Sequence, residues 1–132
     1  MNRLFWNRYN EGLLILRIAF GLMMMVHGFS KIQNWSTMSQ QFADPFGLGS
    51  ALSLALAIFA EFFCSILLIL GLLTPVAALF LIVTMLVAVF YAHGSDPWQK
   101  KELAFAYLMV YTTLLTSGAG KYSLDHKLFR PK

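Results

Sequence analysis

Residues 51–72 have the sequence ALSLALAIFAEFFCSILLILGL, in which Glu61 is the one charged side chain. A helix needs about 20 apolar residues to cross roughly 30 Å of hydrocarbon at 1.5 Å per residue. The segment is long enough and apolar enough to meet that requirement. It therefore predicts a membrane-spanning helix and a membrane location for the whole chain.

Three further apolar blocks accompany this segment. In the chain of 132 residues, 58% are hydrophobic and 12% are charged, about half the charged fraction of a soluble domain. So few charges cannot cover a soluble fold of this size. We predict a single all-α domain over residues 1–132, an integral membrane four-helix bundle. Its predicted spans are 12–29, 51–72, 76–92 and 103–117.

Lysine and arginine are distributed unequally between the two ends of the predicted bundle. The terminal segments carry six of them, whereas the loops between spans carry Lys31, Lys100 and Lys101. Because basic residues favour the cytoplasmic side, both termini are predicted to be cytoplasmic. The basic residues flank apolar blocks, so their expected partner is the lipid bilayer and no nucleic acid is expected.

The outer loop 30–50 is unusually aromatic. Trp35, Phe42 and Phe46 lie among polar residues, and Pro45 and Gly47 permit a turn. We expect this loop to pack over the outer mouth of the bundle.

Two charged residues fall inside predicted spans, where each is costly and points to a partner or a function. Arg17 shares one helix strip with Gly21, Met24, Gly28 and Lys31, and Glu61 lies at the middle of the second span. We predict that Arg17 and Glu61 form an intramembrane polar pair. Three interpretations stay open: a structural ion pair, a protonated acid bonded to a carbonyl, or a role in proton movement or ligand binding.

A second polar cluster is predicted at the outer surface. His27, Lys31, His93 and Glu102 fall at similar depth, where they could line the mouth of one pocket. The alternatives are side chains extending to water and a haem held by His27 and His93. No metal site is expected, because Glu-x-x-His pairs and zinc spacings are absent from the sequence.

Several of these residues belong to a pattern that covers nearly the whole chain. Its elements are Arg17-x3-Gly21-x6-Gly28-x2-Lys31, Glu61, Leu70-Gly71-Leu72, Thr74-Pro75-Val76-Ala77-Ala78, Glu102 and Gly118-Ala119-Gly120-Lys121-Tyr122-Ser123-Leu124-Asp125. The pattern resembles that of the DoxX family of small four-helix bacterial membrane proteins. Where the family commonly has an arginine after the threonine of the second link, Pro75 stands here.

The resemblance implies a multi-pass protein of the bacterial inner (plasma) membrane. DoxX-like proteins include the small membrane subunit of a thiosulfate:quinone oxidoreductase and subunits linked to oxidative-stress and thiol defence. Our first functional hypothesis is therefore a membrane subunit of a redox system that binds a quinone through His27, Lys31, His93 or Glu102. The chain has no cofactor motif of its own, so an oxidoreductase partner would supply the electrons.

The second hypothesis is a non-catalytic membrane protein that binds or transports a small hydrophobic metabolite, or that scaffolds a complex. Its small size favours a homo-oligomer or a larger assembly. Isomerase chemistry on a lipid-like substrate is a third hypothesis, resting on architecture alone. Whether the chain is itself an enzyme stays open, because fold does not determine chemistry.

Overall fold

The computed structural model describes residues 8–130, and all regular structure within that range is helical. Four long helices and two short ones follow one another along the chain. Their bounds are α1 Tyr9–Gln33, α2 Trp35–Met38, α3 Ser50–Leu70, α4 Thr74–Ala92, α5 Trp98–Ser117 and α6 Leu124–Phe129.

Three of these helices, α1, α3 and α4, are long and apolar enough to cross a membrane. They confirm the first three predicted spans, which they extend by a few residues at some ends because a helix continues beyond its hydrocarbon-embedded part. Helix α5 is more polar, since Lys100, Lys101 and Glu102 lie in its first two turns. A fourth membrane crossing and the orientation of the termini therefore stay predictions.

One face of α1 packs against α3. Arg17, Gly21, Met24 and Gly28 are buried along this face, which confirms that the predicted strip faces protein. The two glycines allow a close approach: a Cβ atom at Gly28 would lie 2.7 Å from the backbone nitrogen of Phe62. Contact between the two backbones therefore sets the depth of α3 beside α1.

Two π-helical turns interrupt the α-helical pattern. One, Phe59–Cys64, lies in the middle of α3 and contains Glu61. The other, Ala88–Ala92, forms the last turn of α4. Such turns carry an extra residue and are frequent at functional sites.

The loop before α3 is folded back by Asp44. Its carboxylate accepts hydrogen bonds from the backbone nitrogens of Leu48 and Gly49, both at 2.8 Å, and from the hydroxyl of Ser53 at 3.1 Å. The hydrogen bond from Gly49 is the largest of the effects that hold the pKa of Asp44 below its usual range. This arrangement places Phe42 and Phe46 in the wall of a cavity beside α3 and α4, so part of the loop packs against the bundle as predicted. Trp35 does not line this cavity and is 40% exposed.

The close approach at Gly28 generates a stability prediction. Gly28→Ala inserts a methyl group against backbone atoms that cannot move aside, so the free energy of unfolding should fall by about 1–3 kcal/mol. Gly12→Ala is the matched control, because nothing lies within 4 Å of its Cβ position and alanine is the better helix former. Thermal unfolding in mild detergent measures both, and equal stability of the two variants would contradict close packing at Gly28.

Candidate functional site

The buried Arg17 binds backbone carbonyls at the end of the bundle that holds both described termini. Its side chain is 1% exposed. Nε donates to the oxygen of Leu68 at 3.0 Å, and Nη2 donates to that of Ile69 at 3.1 Å. Nη1 donates to the oxygens of Ala119 and Tyr122, at 2.6 and 3.0 Å. The guanidinium group thus joins α1 to the last turn of α3 and to the segment after α5.

The predicted pair of Arg17 and Glu61 is wrong. Gly28 packs against the backbone of Glu61 and Phe62, so Glu61 lies beside the last turns of α1. Arg17 precedes Gly28 by eleven residues, about 16 Å of helix at 1.5 Å per residue, which is too far for contact. The carbonyls of Leu68 and Ile69 bind Arg17 instead, because the last turn of a helix lacks the next turn that would otherwise satisfy its carbonyls. The oxygen of Leu68 also accepts a hydrogen bond from the backbone nitrogen of Gly71.

Lys31 is the partner of Glu61. Its Nζ atom lies 2.9 Å from Oε1 and 2.9 Å from Oε2. The direction suits a hydrogen bond to Oε1, and Oε2 has no hydrogen-bond donor among residues 8–130. The side chains are 20% and 7% exposed, so the ion pair is largely removed from water. Oε2 is itself buried, so a bound molecule could donate a hydrogen bond to it only after a rotation of the Glu61 side chain.

The Lys31–Glu61 pair forms part of the wall of a cavity of about 410 Å³. The cavity lies between α3, α4 and the loop that Asp44 folds back, and most of its wall is apolar. Its apolar lining includes Phe42, Pro45, Phe46, Leu48, Leu56, Ala57, Phe59, Ala60, Phe80, Val83, Met85, Val87, Ala88 and Ala92.

His93 contributes a second polar group to the cavity wall. Its Nδ1 atom lies 2.8 Å from Oδ2 of Asp96. The hydrogen bond from His93 is the main cause that holds the pKa of Asp96 below its usual range. An ionised carboxylate only accepts, so Nδ1 carries the proton and the ring is oriented by Asp96.

The wall of the cavity between α3 and α4 consists of half-exposed apolar side chains. Leu56, Phe59, Phe80 and Val83 line the cavity, and each is between 42% and 49% exposed. Phe59 and Phe80 pack edge to face between the two helices, with 5.4 Å between ring centroids. Both helices are long and apolar enough to cross a membrane, so their exposed apolar side chains face lipid. The cavity therefore lies directly behind the lipid-facing surface of α3 and α4.

The structure brings together only part of the outer cluster predicted from sequence. Lys31 and His93 line the cavity, and Glu61 joins them although its partner was expected to be Arg17. His27 is exposed and packs edge-on against Tyr107 at 6.0 Å between ring centroids, and Glu102 is exposed on α5. Neither lines the cavity, so a site of all four residues is not formed.

A metal centre finds no support in the described part of the chain. Residues 8–130 contain no group of three His, Cys, Asp or Glu side chains close enough to hold a metal ion. The absence of a metal from the protein itself stays a prediction.

Comparison with known proteins adds a family to this geometry. The sequence model of the DoxX family matches residues 12–94, more than half of the chain. The chain belongs to the DoxX family. The DoxX match runs from α1 to the residues just after α4 and so includes Lys31, Glu61 and His93, whereas α5 and the carbonyls of Ala119 and Tyr122 lie beyond it.

A relative supports the same assignment without adding a function. An uncharacterized protein of Haemophilus influenzae (strain ATCC 51907 / DSM 11121 / KW20 / Rd) is 32% identical over 125 residues, which cover 89% of this chain and 91% of the relative. No solved structure matches the DoxX chain at a significant level.

The partner assignment can be tested with a double-mutant cycle. Lys31→Met or Glu61→Gln alone should lower the free energy of unfolding, because each leaves one largely buried charge without its partner. The double variant should lose less stability than the sum of the two single variants. Thermal unfolding in detergent should give a coupling well above 0.5 kcal/mol, the approximate limit of additivity for distant sites.

The control cycle combines Glu61→Gln with Lys101→Met, since Lys101 donates to the oxygen of Gly94 and not to Glu61. Additive losses in the control and coupling in the Lys31 cycle are expected. Additivity in both cycles would contradict the ion pair.

Proposed function

We propose that this DoxX protein is a membrane subunit of a redox system and that it binds a quinone in the cavity beside Lys31 and Glu61. The observation that carries the proposal is the position of this ion pair in the wall of an apolar cavity that lies directly behind the lipid-facing surface of α3 and α4. The DoxX family is associated with membrane redox roles, which supports the redox part.

The polar groups of the cavity suit both oxidation states of a quinone. An ammonium group has three N–H donors, and Lys31 gives one to Glu61, which leaves donors for a quinone carbonyl. Oε2 of Glu61 is buried and lacks a donor, so a rotation of the Glu61 side chain would let it accept a hydrogen bond from the hydroxyl of the reduced form. His93 offers a further polar contact in the same wall.

The shape of the cavity also fits a ring with an apolar tail. Its volume of about 410 Å³ lies in the usual range for sites of small organic ligands. The aromatic and aliphatic wall can contact the ring, and movement of the half-exposed side chains between α3 and α4, such as Phe59 and Phe80, would give a tail access to the bilayer. When bound, the quinone would supply the redox chemistry, while the chain would bind and orient it and exchange protons at Glu61.

The finer topology belongs to the same proposal. We propose four membrane crossings in a bacterial inner membrane, with α5 as the fourth and both termini cytoplasmic. The start of α1 and the segment after α5 lie together, since Asn10 accepts a hydrogen bond from the backbone nitrogen of Lys121 at 2.8 Å. This contact supports an even number of crossings. An oxidoreductase partner would deliver electrons, and a homo-oligomer remains part of the hypothesis.

A second candidate function is the non-redox binding of a small hydrophobic metabolite. The observation that favours it is the apolar character of most of the cavity wall, which would accept many membrane-dissolved molecules. The two candidates differ in whether the Lys31–Glu61 pair contributes to affinity.

Binding can be tested with decylubiquinone added to the purified protein in mild detergent. Its thermal unfolding temperature should rise with added decylubiquinone, because a ligand that binds only the folded state stabilises it. Ala57→Phe fills the cavity from α3 and should weaken binding by about 10-fold or more. Leu52→Phe, at a half-exposed position of the same helix outside the cavity wall, is the matched control.

The double variant Lys31→Gln with Glu61→Gln separates the two candidate functions, because it removes both charges and leaves neither unpaired. Decanol serves as an apolar probe without quinone oxygens. A preference for decylubiquinone over decanol that is lost in this variant supports the quinone site. Equal stabilisation by both probes in the unmodified protein would favour the second candidate, and no effect of Ala57→Phe on either probe would reject the cavity as the site.

A further inference from the structure

A second open groove lies at the opposite end of the bundle from the cavity. It has a volume of about 430 Å³ and lies between the start of α1, the end of α5 and helix α6. We call it the terminal groove, and the residues that matter for its chemistry are Tyr9, Lys121, His126, Phe129 and Arg130. The Lys31–Glu61 cavity shares no lining residue with it.

The terminal groove carries a net positive charge. Lys121 and Arg130 both line it and are exposed. Asp125 is the acidic residue of the wall, and its two oxygens accept hydrogen bonds from the backbone nitrogens of Leu73 and Thr74, at 2.6 and 2.8 Å. These bonds hold the carboxylate at the start of α4, so the two basic groups outnumber it and can attract an external anion.

Both basic residues make contacts within the chain. The backbone nitrogen of Lys121 donates to Asn10, and its ammonium group lies 4.9 Å from the centroid of the Tyr122 ring. Nη1 of Arg130 lies 3.1 Å from Nε2 of His126. Because a guanidinium only donates, Nε2 of His126 accepts and Arg130 keeps its charge. The remaining N–H groups of Arg130 are available to an oxyanion, for which the planar guanidinium is well suited.

Large apolar side chains surround these charges. Tyr9 is 64% exposed, and Leu128 and Phe129 are each 62% exposed. They lie where α1 begins and just beyond the end of α5, the depth at which a membrane-spanning segment reaches the headgroups. A soluble anion would contact only the charged groups. A phospholipid would also cover the exposed aromatic and aliphatic side chains.

From this juxtaposition we propose that the terminal groove binds the phosphate headgroup of an anionic phospholipid. Lys121 and Arg130 contact the phosphate, and Tyr9 and Phe129 contact the glycerol and the upper acyl chains. Basic groups beside a membrane surface attract anionic lipid, and the attraction weakens with added salt. The bound lipid would tie α6 and the end of α5 to the start of α1.

Short-chain lipids in mild detergent test the site directly. Dihexanoyl-phosphatidylglycerol should raise the thermal unfolding temperature, whereas dihexanoyl-phosphatidylcholine and inorganic phosphate at equal concentration should not. The variant Lys121→Gln with Arg130→Gln should need about 10-fold more phosphatidylglycerol for the same rise. The matched control is Lys100→Gln with Lys101→Gln, which removes two charges at the start of α5, outside the groove.

Three results would overturn the proposal. They are an unchanged phosphatidylglycerol preference in the Lys121 and Arg130 variant, an equal loss in the Lys100 and Lys101 control, and an equal rise with inorganic phosphate. If the groove variant unfolds on purification, Lys121→Arg with Arg130→Lys keeps both charges and should retain the preference. Native mass spectrometry should then find phosphatidylglycerol bound to that charge-conserving variant. If neither this variant nor the unmodified protein retains phosphatidylglycerol, the site is rejected.

Discussion

The rest of the structure depends on one buried guanidinium group. Arg17 lies within the first membrane-spanning helix, where burial of its charge without partners would cost free energy. Its guanidinium group donates hydrogen bonds to carbonyl oxygens of two segments far along the chain. Leu68 and Ile69 supply two of them where α3 ends, and Ala119 and Tyr122 supply two after α5. Because carbonyls carry only partial charge, several are needed, and that requirement joins three parts of the fold at one point.

The same end of the bundle is reinforced by Asp125, whose carboxylate holds the start of α4 through the backbone nitrogens of Leu73 and Thr74. The ion pair of Lys31 and Glu61 lies nearer the other end of the bundle, and Glu61 is part of the π-helical turn of α3. The two buried charged groups of the spans therefore have separate roles. Arg17 organises the scaffold, and Glu61 lines an apolar cavity beside α3 and α4.

Much of this fold follows from the sequence, because membrane spans and buried helix faces have periodic signatures. Three apolar blocks and the buried strip of α1 are confirmed, and part of the aromatic loop, with Phe42 and Phe46, packs against the bundle. The partners of Arg17 could not be predicted in the same way, since backbone carbonyls have no sequence signal. The depth of Glu61 beside α1 depends on the contact at Gly28, which the position of Glu61 within its own span does not reveal. His27 and Glu102 share the depth of the outer cluster, but the helix faces that carry them point away from the cavity.

The most direct test of the account is hydrogen–deuterium exchange of Arg17→Lys in mild detergent. Lysine has its donors on one nitrogen and cannot bind four carbonyls in two segments. Exchange should therefore rise at the backbone amides of both distant segments, around residues 71–74 and 118–125, where the hydrogen bonds of Leu73, Thr74, Lys121 and Asp125 lie. The amides of Leu48 and Gly49 in the outer loop should be unchanged. Unchanged exchange in the two terminal segments, or an increase confined to the outer loop, would contradict the central role of Arg17.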